Sequence, residues 1–182
     1  MVYVVLGILV LVAIYFFITY NSLINLKNLV KEAFSTMDIY LKKRWDLIPN
    51  LVEIVKQYAK YESDTLKELT ELRASAYDEL KNENKIDVNL KLNQSLSKIL
   101  MISENYPELK ANESFSKLSE NLTQVEDEIA NSRKYYNGTV KMLNNKIQMF
   151  PSNIIANLTG FKEEKMFEVS NIEEKKNVKI DL

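Results

Sequence analysis

The chain has 182 residues, a formal net charge of −1, three Gly, three Pro, no Cys and no His. The missing Cys excludes disulfides, zinc–thiolate sites, cysteine nucleophiles and a lipidated cysteine anchor, and the missing His closes every mechanism that needs an imidazole as base, shuttle or metal ligand. A near-neutral balance without a basic face argues against nucleic acid as a partner. So few turn-forming residues argue for long helices over a β-rich fold.

Residues 1–26 carry no charged side chain, the first being Lys27. Val2 to Ile18 is almost wholly apolar. With Thr19 and Tyr20 added, a helix there reaches about 27–30 Å, one hydrocarbon core. Tyr3, Tyr15 and Tyr20 lie near the ends, where amphipathic rings favour the membrane interface. A cleaved signal peptide needs a basic leading segment and small residues at the cleavage site, whereas bulky Phe16, Phe17 and Ile18 stand here. Residues 1–20 are therefore expected to form a single-pass anchor in the cell membrane. Lys27 and Lys31 follow the span, Lys42, Lys43 and Arg44 lie a little beyond, and no Lys or Arg precedes it. The positive-inside rule then puts the N-terminus outside and the domain in the cytoplasm.

Residues 21–161 are expected to form one all-α domain, an antiparallel bundle of about four helices into which the anchor helix continues. Leu23, Leu26, Val30, Phe34, Met37, Leu41 and Trp45 recur at three- and four-residue steps and trace one helical face. Asp46 then reads as an N-cap, with Pro49 in the first turn of a second helix over about 47–82. Its stripe is Ile48, Val52, Val55, Ala59, Leu66, Leu69, Ala76 and Leu80. Asn82 to Lys85 reads as a polar connection. Asp87 reads as the cap of a shorter third helix with Leu92, Leu96, Ile99 and Leu100 inward, stopped at Tyr106-Pro107 because the residue before Pro leaves the α region. The fourth helix is expected from about Asn112 to Gln148, with Phe115, Leu118, Leu122, Val125, Ile129, Tyr136, Val140, Leu143 and Ile147 inward and Gly138 inside it. Phe150-Pro151 ends it. Ser152 to Phe161 is a short helix or a hydrophobic clasp, and 162–182 is expected to be an extended, mobile, charged tail.

Several stretches resemble the LemA family of bacterial single-pass membrane proteins. They are Tyr20-Asn21-Ser22-Leu23, the run from Lys43 to Val52 (KRWDLIPNLV), Tyr58-Ala59-Lys60-Tyr61-Glu62, the run from Glu104 to Asn112 (ENYPELKAN), Arg133-Lys134-Tyr135-Tyr136-Asn137, and the run from Phe150 to Ala156 (FPSNIIA). They span nearly the whole chain in family order. The sequence departs from the family at Tyr61, where His is usual, at Phe34, where Trp is frequent, and at Lys43-Arg44, where Arg-Arg is frequent. The resemblance implies an N-terminal anchor and an antiparallel helical domain. It brings no reaction, substrate or cofactor.

Charged residues on the apolar stripes are the remaining candidates. Glu62 and Arg73 fall on the stripe of the second helix, Glu126 and Arg133 on that of the fourth. Carboxylates in apolar surroundings can act as acids, bases or metal ligands. Structural ion pairing between helices is the reading adopted, because a buried charge requires a partner. Lys42, Lys43 and Arg44 could meet an acidic partner, or could simply be solvated cations at a helix end. No Gly-rich phosphate loop, paired metal motif or nucleophile–base pair is present, so no catalytic residue, metal or cofactor is expected. The leading functional expectation is a non-enzymatic scaffold or adaptor that presents a surface to a protein partner. A self-associating membrane organiser, a homo-oligomer, is the alternative, followed by a carboxylate- or metal-dependent enzyme.

Overall fold

The computed structural model describes residues 1–59, 63–72, 77, 80 and 82–167. All regular structure among them is helical: α1 (Val2–Tyr58), α2 (Ser63–Leu72), α3 (Asn82–Ser103), α4 (Pro107–Lys110), α5 (Glu113–Gln148) and α6 (Ser152–Leu158). The expected 21–161 domain divides into two compact units. One comprises Met1–Ile39 with Glu128–Met166, the other Tyr40–Asp127 with Phe167.

The long first helix corrects the expected break at Asp46–Pro49. α1 is unbroken for 57 residues and carries Pro49 in its interior. An internal Pro removes one helical donor, here the one facing the Trp45 carbonyl, and costs about 3 kcal/mol. Around it Trp45, Ile48, Leu51, Val52 and Val55 are all buried, and each buried side chain of this size contributes roughly 1.5–3 kcal/mol. Continuity of the buried stripe therefore outweighs the local preference to stop. The helix ends instead at Tyr58, so the expected helix over 47–82 is replaced by the end of α1 and by the separate α2.

In the first unit, residues 1–15 of α1 are exposed all round, and the buried stripe begins with Thr19, Leu23, Val30, Ala33, Phe34 and Met37. Its counterpart on α5 is Ile129, Ser132, Tyr136, Val140, Leu143 and Ile147. Phe34 and Tyr136 meet edge to face, 5.8 Å between ring centroids. Tyr20 meets Phe161 at 6.1 Å. Descending α1 thus corresponds to ascending residue numbers on the other strand of the chain, an antiparallel pairing. The corner between α5 and α6 is tied by Ser152, whose buried hydroxyl lies 2.7 Å from the Lys146 carbonyl and 2.8 Å from that of Met149. α6 closes on Gly160 at φ +75. There the Phe161 amide donates to Ala156 O at 3.0 Å and the Gly160 amide to Asn157 O at 3.3 Å, the paired bonds of a Schellman motif.

The segment after α6 is extended, as expected, but residues 164 and 165 are held. Asn144 Nδ2 donates to Glu164 O at 2.8 Å, Asn144 Oδ1 accepts the Glu164 amide at 3.0 Å, and the Tyr136 hydroxyl donates to Lys165 O at 3.0 Å. Side chains of α5 satisfy backbone groups that would otherwise need water or a β-partner. Phe167, in the second unit, is buried, and the rest of the tail, 168–182, lies outside the described residues.

In the second unit, α2 buries Leu66 and Leu69 and packs on α3, which buries Leu92, Leu96 and Ile99. Residues 82–85 are the first turn of α3, not the polar connection expected there. Tyr106 leaves helical geometry at φ −122, ψ 84, as a residue before Pro should, and Pro107 starts α4. Asn112 caps α5, its Oδ1 accepting the Phe115 amide at 3.0 Å. Its amide nitrogen also donates to the Tyr58 hydroxyl at 3.0 Å, joining the end of α1 to the start of α5.

Candidate functional site

Among the described residues of the second unit is a buried polar cluster, and α1 positions it. Arg44 lies between Leu41 and Ile48 on the buried side of that helix and is only 1% exposed. Its Nη1 donates to Glu126 Oε1 on α5 at 2.6 Å. Its Nη2 lies 2.9 Å from the Asn89 carbonyl and 2.8 Å from Asn89 Oδ1 on α3. Asn89, itself buried, completes the link by donating from Nδ2 to Lys85 O at 2.8 Å. One planar guanidinium thereby joins α1, α3 and α5. That fork suits arginine, whose donors are fixed in a plane, and not lysine. The Glu126 side chain keeps 32% of its exposure, so the pair has one dry end and one wet end. Arg44 Nε is buried without an acceptor among the described residues.

The same geometry sorts the sequence candidates. Glu126 meets Arg44, a residue expected on a partner surface. Arg133 is half-buried on α5 in the first unit. Glu62 and Arg73 lie outside the described residues. The trio 42–44 does not form one patch, which corrects its reading as a joint partner surface. Successive helical residues point about 100° apart, so Arg44 turns inward while Lys42 and Lys43 stay exposed. Lys42 Nζ lies 5.6 Å from the centre of the Tyr77 ring, and Lys85 Nζ lies 4.7 Å from it. Tyr77 is buried against Trp45, with ring centroids 5.3 Å apart. Sequence reasoning missed Arg44 and Asn89 as core residues. The signal for Arg44 was its position three residues after Leu41, visible once α1 is read without a break.

Among the described residues of the second unit, Lys43 is exposed. A groove of about 270 Å³ is lined by Ile48, Pro49 and Val52, with Glu53, Lys56 and Thr70 beside them. Among the described residues no three acidic side chains gather where they could hold a metal ion. α1 is the one helix, among those residues, long and apolar enough to cross a membrane, and the apolar window responsible is almost wholly uncovered by protein.

The chain is similar in sequence to several known proteins. Protein LemA of Metamycoplasma hominis is 23% identical over 154 residues, covering 84% of this chain and 70% of that protein. Magnetosome protein MamQ 2 of Paramagnetospirillum magneticum is 22% identical over 175 residues, and MamQ of Magnetospirillum gryphiswaldense 24% over 174; these cover 82% and 81% of this chain. The chain spans 64% of the length of each of those two MamQ proteins. The LemA family model matches residues 33–182, most of the chain, and the chain therefore belongs to the LemA family.

Proposed function

We propose that this protein is a non-enzymatic, membrane-anchored scaffold or adaptor. The apolar start of α1 spans the cell membrane once, and the helical units present a surface to a protein partner on the cytoplasmic side. The observation that carries the reading is α1 itself. An uncovered apolar stretch of this size on a water-exposed helix is what a bilayer, and not water, accommodates. The same helix, without a break, then supplies buried side chains to both units, so the anchor is built into the fold and not appended by a linker. The Lys and Arg residues that follow the span favour the cytoplasmic placement. The MamQ relatives are named as magnetosome proteins, and a role as a component of a larger assembly is the corresponding proposal here. The groove beside Pro49, with Lys42 and Lys43, is where we place the partner contact.

Photocrosslinkers placed at Glu53 and Lys56 in the membrane-embedded protein test this. A discrete adduct with a second polypeptide is expected, absent when the crosslinker sits at Lys117. A ladder of homo-oligomers alone would favour the self-associating organiser, and no adduct at either groove position would refute this surface. A single cysteine in place of Lys43 should react with membrane-impermeant maleimide only after the cells are opened. Labelling of intact cells would reverse the orientation.

A further inference from the structure

A second apolar surface lies in the first unit, at the corner between α5 and α6. Met149, Phe150, Ile154 and Leu158 are all exposed there, Phe150 at 78% and Leu158 at 75%. Ile154 and Leu158, four residues apart on α6, share one side of that helix, while Ser152, Ile155 and Ala156 face the protein; Phe150 lies in the turn just before it. From Ile147 to Phe161 no side chain is charged, and Lys146 and Lys162 bracket the run.

The height of this corner follows from the helix pairing in the same unit. Phe34 and Tyr136 are in ring contact. Fourteen residues down α1 from Phe34 is Tyr20, a fall of about 21 Å at 1.5 Å per residue. Twelve residues along from Tyr136 is Gln148, where α5 ends just before this corner, about 18 Å of travel in the antiparallel sense. The contact between Tyr20 and Phe161 just after α6 independently puts this corner beside the end of the apolar stretch of α1. Lys27, the first charge after that stretch, sits with its Nζ 5.7 Å from the Phe161 ring centre.

We propose that the α5–α6 corner is a second membrane contact. Phe150, Ile154 and Leu158 enter the interfacial layer of the bilayer that α1 crosses, with Met149 beside them, and Lys27, Lys146 and Lys162 face anionic headgroups. An apolar face flanked by lysines at headgroup depth is the pattern of an interfacial helix. Here the face is short and is held in place by Ser152 and by the Gly160 turn. The proposal rests on the reading of α1 as a membrane anchor.

The absence of native cysteine allows a direct test. Phe150→Cys, Leu158→Cys, Lys134→Cys and Val10→Cys are each labelled with an environment-sensitive fluorophore. The full-length protein is placed in phosphatidylethanolamine–phosphatidylglycerol nanodiscs at one chain per disc. Labels at 150 and 158 should emit to the blue of the label at 134 and be quenched severalfold more by doxyl lipids than by aqueous iodide. Signals at 150 and 158 matching that at 134, with Val10 still lipid-buried, would overturn the second contact and leave the anchor standing. Shielding that appears only with several chains per disc would assign the face to a second copy and likewise overturn it. A water-exposed label at Val10 would overturn the anchor and the second contact together.

Discussion

Replacing Arg44 is the most informative perturbation of the fold. Arg44→Ala removes the guanidinium that serves Glu126 and Asn89, and with it the packing of the arginine stem. Glu126 can regain water through its exposed third. Asn89 Oδ1 cannot, and a buried acceptor left unmade costs about 1–3 kcal/mol. Adding the lost packing and the lost charged hydrogen bonds gives about 3–5 kcal/mol, the range found when one partner of a buried pair is deleted. Glu126→Gln should cost less, about 1–3 kcal/mol, because it keeps an acceptor and its site is partly wet. At about 2–4 °C per kcal/mol for a protein of this size, Arg44→Ala should lower the midpoint by about 10 °C. The assay is thermal loss of helical circular dichroism on the full chain in detergent micelles, for both single variants and the double. The double should cost clearly less than the sum of the singles, a coupling of about 1–3 kcal/mol. An Arg44→Ala midpoint within a degree of the parent, or strict additivity, would refute the cluster as a structural junction.

Three further outcomes follow from local geometry. Gly160→Ala should destabilise by about 1–2 kcal/mol, because the left-handed conformation at φ +75 penalises a Cβ even though no neighbour lies within 4 Å; an unchanged melt would show that the turn is not needed. Gly138→Ala should stabilise by about 0.5–1 kcal/mol, since that position is exposed inside α5 and an added Cβ meets nothing within 4 Å; a lower melting temperature would contradict it. Asn144→Ala should leave global stability nearly intact but accelerate hydrogen exchange at the Glu164 amide, which loses its acceptor. Exchange at the parental rate would mean that the clamp does not hold the segment.

The stripes on α1 and α5 were legible because burial imposes a three- and four-residue period that few other arrangements produce. The two ends of α5 fall where they were expected, from about Asn112 to Gln148; the structure adds that Asn112 caps the helix, and Phe150-Pro151 follows its end. At Asp46–Pro49 a local start signal competed with a continuous buried face, and side-chain burial won by more than a proline costs. Over Asn82–Lys85 polar composition suggested a loop, yet Lys85 and Asn89 enter the interior, where their polar ends find partners. The bonds that Glu164 and Lys165 make to residues twenty to twenty-nine positions earlier were not legible, because nothing in the local sequence announces such partners. Arg44 was grouped with its neighbours by adjacency in sequence, whereas a helix distributes neighbours around its axis.

The first unit joins Met1–Ile39 to Glu128–Met166, while Tyr40–Asp127 of the second unit lies between them in sequence and its Phe167 follows them. This has a consequence for biosynthesis. The α1 residues Leu23, Val30, Phe34 and Met37 emerge first, and Tyr136, the ring partner of Phe34, is made about one hundred residues later. At typical elongation rates of about 5–20 residues per second, that interval is roughly 5–20 s. Throughout it, the α1 stripe stands without its counterpart on α5. Tyr40–Asp127 emerges before Glu128–Met166, so contacts within it can form while that stripe is still uncovered, and Phe167 of the second unit arrives last. A ribosome stalled with residue 127 just emerged should therefore hold a chain whose later portion resists protease while the α1 stripe over Leu23–Met37 remains open to cleavage.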